Sequence, residues 1–135
     1  MPENIQLEIV TPERLVVKAT VDDVQIPGST GYLGILPGHA PLITALGVGE
    51  ISYRSGAETK RLSVAWGFAE VLPDKVTILA ETAERSDEID VARAQAAKQR
   101  AEDELKKAGP GGDAEAQAAL QRATSRLEVA GKTTS

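Results

Sequence analysis

No cysteine occurs among the 135 residues, and histidine occurs once, at His39. The first absence excludes disulfide frameworks, thiolate nucleophiles and cysteine-based zinc sites. The second excludes a multi-histidine metal centre, and it leaves a Ser-His-Asp triad only the Pro37-Gly38-His39-Ala40-Pro41 loop to stand on. Aromatic residues are also scarce: Tyr32, Tyr53, Trp66 and Phe68 are all there are, so a core must be filled by Leu, Ile and Val. No apolar run reaches the ~18 residues that a membrane helix needs. Met1-Pro2-Glu3-Asn4 has neither the basic start nor the apolar stretch of a secretory leader. These absences suggest a cytosolic or cytosol-facing protein whose membrane association, if any, comes through a partner. Twenty acidic residues against 15 basic ones, net charge −5, disfavour a nucleic-acid backbone as ligand.

What is present is unevenly distributed. Six of the seven prolines, eight of the 12 glycines and all the aromatics lie in residues 1–84, while residues 85–135 contain 12 alanines. The first stretch carries 11 acids and 6 bases; the second carries 9 of each. The chain therefore divides into two parts, 1–84 and 85–135.

The first part has the signature of many short strands. Ile5, Leu7 and Ile9 alternate with Gln6 and Glu8, the period that puts one face on a core and the other in water. Apolar runs follow at Leu15 to Val17, Val21 to Ile26, Gly34 to Leu36, Leu42 to Leu46, Ile51 to Tyr53, Leu62 to Val64, Phe68 to Leu72 and Val76 to Leu79. Turn chemistry separates many of them, at Thr11-Pro12, Pro27-Gly28, Pro37-Gly38, Ser55-Gly56 and Pro73-Asp74. Such spacing predicts a sandwich or barrel.

The second part predicts two helices. Asp87 is the expected cap of the first, with Glu88 and Asp90 adding charge that the helix dipole favours, and the helix runs to about Ala108. Gly109-Pro110-Gly111-Gly112 stops it. Asp113 caps the second, which ends near Gly131. Ala94, Ala97, Ala101, Leu105 and Ala108 share one face; Ala116, Leu120, Ala123, Leu127 and Ala130 share the facing one. Two such stripes form an antiparallel hairpin with a small buried area, hence a weak and rearrangeable one, since burial contributes only ~0.8 kcal/mol per CH₂.

Chemistry-bearing patterns are few. Gly28-Ser29-Thr30-Gly31-Tyr32-Leu33-Gly34 is glycine-rich but lacks the Gly-Lys-Ser/Thr ending of a phosphate loop and reads first as turn structure. Trp66 and Phe68 are more simply a packed face than a base-stacking platform. Arg93 and Arg100 lie seven apart on one helix, and Arg122 and Arg126 four apart on the other. In an antiparallel pair all four can converge on one polyanion, because guanidinium forks match phosphate oxygens. The plainer reading is a solvated face of ion pairs with Glu102, Asp103, Glu104 and Glu128.

One long pattern is more specific. Gly28-Ser29-x-Gly31-x-Leu33-Gly34-Ile35-x-Pro37-Gly38-His39-Ala40-Pro41-Leu42, then Gly67-Phe68-Ala69-Glu70-Val71 and Ile89-Asp90-x-x-Arg93-Ala94, closely resembles the epsilon-subunit family of bacterial F-type ATP synthases. The likeness runs nearly end to end. Two positions depart from it: Trp66, where many members have a second glycine before Gly67, and Tyr32, where many have an acid.

The resemblance implies an all-β, ten-stranded N-terminal sandwich, followed by an antiparallel two-helix hairpin. It implies no catalysis by this chain and no required cofactor. The place implied is the central stalk of the rotor, coupling proton flow to ATP synthesis. There the sandwich binds the gamma subunit and c-ring, with Gly31, Tyr32, Leu33 and His39 as contacts. The hairpin regulates ATP hydrolysis, reaching the alpha and beta subunits when extended. The location implied is peripheral, on the cytoplasmic face of the bacterial inner membrane. Some members bind ATP on the folded hairpin as a regulatory ligand. The matching positions are Glu84, Ile89, Asp90 and Ala94 for base and sugar, and Arg93, Arg100, Arg122 and Arg126 for the phosphates. The alternative is a free-standing ATP-sensing module outside any rotary complex.

Overall fold

The computed structural model describes residues 3–131. Seven strands come first: β1 (Ile5–Val10), β2 (Leu15–Val21), β3 (Asp23–Gly28), β4 (Gly31–Ile35), β5 (Leu42–Ser55), β6 (Glu58–Val71) and β7 (Lys75–Arg85). A 3-10 turn, Ser86–Glu88, leads into helices α1 (Val91–Lys107) and α2 (Ala114–Ala130). The strands form one sheet in the order β2-β1-β7-β6-β5-β3-β4. Only the β1–β7 pairing is parallel.

Alternation in β1 works as its sequence dictates: Ile5, Leu7 and Ile9 are fully buried while Gln6 is exposed. They join Val24, Ile26, Ile35, Ile51, Leu62, Val64, Val71 and Ile78 in a single aliphatic core. The sheet folds over on itself to enclose that core. Its two ends meet through the Ser55 hydroxyl, which donates to the Thr20 carbonyl at 3.1 Å, and the Asp22 amide, which donates to the Arg54 carbonyl at 2.7 Å.

The fold-over is located by an interruption in the ladder. Leu46 pairs with Gly67 and Val48 with Ala65, but Gly47 and Trp66 between them are not paired. The next ladder likewise skips Trp66 opposite Glu81. At this row Trp66 has φ +52, the one positive φ of a non-glycine among the described residues, and Gly67 has φ +127. A left-handed residue with a Cβ costs ~1–2 kcal/mol. Here that cost accompanies the bend of three strands at once.

Seven strands stand where the resemblance implied ten. The difference lies in this row: β5, β6 and β7 run unbroken through the bend, and cutting each there would leave ten segments. Sequence runs that read as separate strands, such as Leu42 to Leu46 and Ile51 to Tyr53, are halves of one bent strand.

The hairpin follows as expected in its second helix. Asp113 caps α2, its carboxylate accepting from the Ala116 amide at 3.0 Å, and Gly131 ends it. The first helix starts later than expected. Asp90, not Asp87, is its cap, accepting from the Arg93 amide at 3.0 Å, because Asp87 is taken up in the 3-10 turn and Ile89 is extended. Ala94 and Ala101 of α1 face Ala116 and Ala123 of α2 in the buried seam.

Gly67 and Gly56 separate two kinds of glycine requirement. A Cβ on Gly67 would collide with the Leu79 carbonyl of β7, whereas one on Gly56 (φ +63) would meet open space. Gly67→Ala is therefore expected to cost at least ~2 kcal/mol, and Gly56→Ala ~1 kcal/mol from backbone strain alone. Urea denaturation that placed the two midpoints together would refute this account of the bend.

Candidate functional site

Four elements converge on one pocket. The end of β7 brings Glu84, the 3-10 turn Glu88, the start of α1 Asp90, Arg93, Ala94, Ala97 and Arg100, and α2 Arg126. These line a cavity of about 320 Å³, within the range of roughly 300–1,000 Å³ common for small-molecule sites.

Its carboxylates are all engaged. Glu84 pairs with Arg126 at 2.5 Å. Glu88 pairs with Arg14 and Arg85, at 3.1 Å each. Asp90 is occupied in capping α1. By contrast, Arg93 and Arg100 have no ion pair among the described residues. Nor do the ion pairs there join any arginine to Glu102, Asp103, Glu104 or Glu128, as a solvated network would. Two uncompensated guanidinium groups beside the N-terminus of a helix form an electropositive wall suited to an anion.

Burial would by itself raise the Glu88 pKa. The hydrogen bond from the Arg85 amide, the Arg85 charge and the contact with Arg14 outweigh it and lower the pKa. A carboxylate lowered in the folded state contributes stability above its unfolded pKa and loses it as pH falls through the folded value. The loss should therefore come on the acid side of the ordinary glutamate range.

Of the eight positions carried over for ATP, the structure brings Glu84, Asp90, Arg93, Ala94, Arg100 and Arg126 to the pocket. Ile89 is half-buried in the linker and is not part of the lining. Arg122 also lies outside it: its guanidinium sits over the Trp66 ring, 5.4 Å from the centroid.

That contact belongs to a polar seam which docks α2 on the sandwich. Ser125 donates to the Gly49 carbonyl at 3.1 Å and so accepts from Ser63, whose oxygen is 2.8 Å away. Both serines are buried. Arg122, Ser125 and Arg126 thus form one stripe of α2 that meets Trp66, Ser63 and Glu84 in turn. Sequence reasoning found the alanine seam and missed Ser125 and Val129, which are buried beside it. A serine between Thr124 and Arg126 carries no local signal of burial.

The positions expected to make rotor contacts are spread out. Gly31, Tyr32 and Leu33 form the first part of β4, and His39 lies beyond its other end. Tyr32 stands in the groove beneath α2, with Gln117 and Gln121, and accepts a hydrogen bond from the Glu50 amide at 3.0 Å. His39 donates from Nδ1 to the Ala40 carbonyl at 2.6 Å. Elsewhere Phe68 and Leu79, opposite one another in the β6–β7 ladder, are 59% and 55% exposed, and Ile43 on β5 is 71% exposed. Ladder pairing puts Val10, Phe68 and Leu79 on one outer face, and Ile43, paired with Glu70, on the same face.

A strand-rich domain carrying a folded-back helical hairpin describes an accessory, two-part chain. Residues 4–86 match the family described as ATP synthase, Delta/Epsilon chain, beta-sandwich domain, and residues 87–131 match ATP synthase, Delta/Epsilon chain, long alpha-helix domain. The ATP synthase epsilon chain of Koribacter versatilis (strain Ellin345) is 67% identical over 110 residues, covering 82% of this chain and 78% of that one. That of Solibacter usitatus (strain Ellin6076) is 50% identical over 104 residues, covering 77% and 78%. A chain in the Euglena gracilis mitochondrial ATP synthase structure superposes with a TM-score of 0.83 at 22% identity, over 96% of this chain and 82% of that one, a likeness of fold. The chain belongs to the epsilon-chain family of ATP synthase.

Carbon-detected NMR titration should place the Glu88 pKa below that of an unstructured glutamate, and Arg14→Ala should move it upward. An unshifted Glu88, or one indifferent to Arg14, would contradict the pairing seen at the linker.

Proposed function

We propose that this chain is a non-catalytic subunit of the central stalk of a proton-translocating ATP synthase, and that its hairpin regulates ATP hydrolysis by folding back when ATP occupies the pocket. Family membership supports the subunit role. The observation that carries the ligand is the pair of unpaired guanidinium groups, Arg93 and Arg100, facing Arg126 across a cavity of about 320 Å³. Phosphates satisfy these donors, while Glu84 and Asp90 offer acceptor oxygens for the adenine amino group and ribose hydroxyls. A phosphate that engages Arg126 shares it with Glu84 or displaces that carboxylate.

The partners follow from the surfaces. The outer face of Val10, Phe68, Leu79 and Ile43 is an apolar patch of the kind that marks an interface, and it receives the gamma subunit. The His39 turn, flanked by exposed Leu36 and Leu42, meets the c-ring. The complex holds the chain peripherally, at the cytoplasmic face of the bacterial inner membrane. No helix among the described residues is long and apolar enough to cross it.

Calorimetric titration of the purified chain with ATP tests the ligand. Binding is expected, and Arg126→Ala or Arg100→Ala should weaken it about tenfold or more, the value of a charge-assisted contact. At ten times its dissociation constant ATP should add about 1.4 kcal/mol to the docked hairpin. No heat from the unmodified chain up to millimolar ATP removes the sensor role.

Co-purification tests the stalk role separately. Phe68→Glu with Leu79→Glu should lose the gamma subunit while leaving ATP binding intact. A chain that never copurifies with gamma or the c-ring, yet binds ATP, is the free-standing sensor instead.

A further inference from the structure

Arg122 and Arg126 are one turn apart on the same stripe of α2. Because α1 ends at Lys107 and α2 begins at Ala114, Arg122 stands almost as far past the turn as Arg100 stands before it. The antiparallel helices therefore hold Arg122 level with Arg100, a wall of the pocket. Yet the Arg122 guanidinium is over the Trp66 ring at 5.4 Å, and the pocket is lined without it. Trp66 is held in place by its own backbone: a left-handed φ of +52 at the bend fixes it beside α2.

We propose that Trp66 competes with the bound polyphosphate for Arg122 and thereby lowers the affinity of the pocket, making Trp66 a positioning residue that sets the ATP concentration to which the hairpin responds. The inference rests on the reading that the pocket takes ATP. The attraction of a guanidinium to an indole face is electrostatic, as is its attraction to phosphate, so one group cannot satisfy both fully. A ligand either draws Arg122 off the ring, losing that contact, or is held by three guanidinium groups, those of Arg93, Arg100 and Arg126.

The test is a double-mutant cycle read by ATP titration of the full chain, with folding of each variant checked by circular dichroism. Trp66→Leu removes the aromatic face and should tighten ATP binding about three- to tenfold, the range of a partly buried cation–π contact. Trp66→Gly, which suits the left-handed backbone, should do the same and covers the case in which the leucine variant folds poorly. Trp66→Tyr keeps a ring face and should bind within about twofold of the unmodified chain. In an Arg122→Ala background, Trp66→Leu should change nothing.

Unchanged or weaker binding in both Trp66→Leu and Trp66→Gly overturns the proposal, as does a gain that persists without Arg122. Binding that Arg126→Ala weakens, with no response to Trp66, leaves the ATP site standing and removes only this inference. No binding by the unmodified chain removes both.

Discussion

The bend at the row of Gly47, Trp66 and Glu81 is the constraint on which the rest depends. It turns one continuous sheet into two facing layers, and so creates the aliphatic core. It also decides what the hairpin can touch. The left-handed Trp66 is placed against α2, Gly67 lets β7 pass within reach of its backbone, and Gly49, two positions past Gly47, offers the carbonyl that Ser125 meets. Three strands bending together make this a rigid feature, since no single strand can straighten without its neighbours.

Against that rigid support the hairpin is attached by a different kind of chemistry. The sandwich is held by Ile, Leu and Val; the α2 seam is held by a serine pair, an ion pair and a ring contact. Each polar contact contributes on the order of 1 kcal/mol net, because water offers comparable partners to the separated groups. Aliphatic burial has no such competitor. The hairpin can therefore leave the sandwich at a cost far below that of unfolding the sandwich itself, which is the energetic spacing a two-state element requires.

How much of this was legible in the sequence depended on the range of the interaction. Local signals were reliable: the alternation of β1, the Gly109-Pro110-Gly111-Gly112 turn and the Asp113 cap all depend on residues within a few positions of one another. The start of α1 was misplaced by one acid for another, because Asp87 and Asp90 offer the same capping chemistry and only the extended Ile89 separates them. The long strands read as separate because Gly47, Gly49 and Gly67 look like breaks, whereas here they are hinge points in continuous pairing. For the site, helical spacing brought Arg93, Arg100 and Arg126 together correctly in outline. The diversion of Arg122 was invisible, since it is decided by a tryptophan on a distant strand and by the φ of that residue.

The pocket's charge explains why an acidic chain can present an anion site at all. Net charge acts at distances beyond the Debye length only when unscreened, and at ~0.15 M salt that length is about 8 Å. Within that radius the balance is local. Glu88 is committed to Arg14 and Arg85, outside the arginine wall, and Asp90 to the backbone of α1. Glu84 alone opposes Arg126. Arg93 and Arg100 are left uncompensated among the described residues, and the α1 N-terminus adds partial positive charge on the same side. The excess acid of the sandwich therefore repels an extended nucleic acid, which must cross its field, without preventing one small polyanion from resting against two arginines that no carboxylate has claimed.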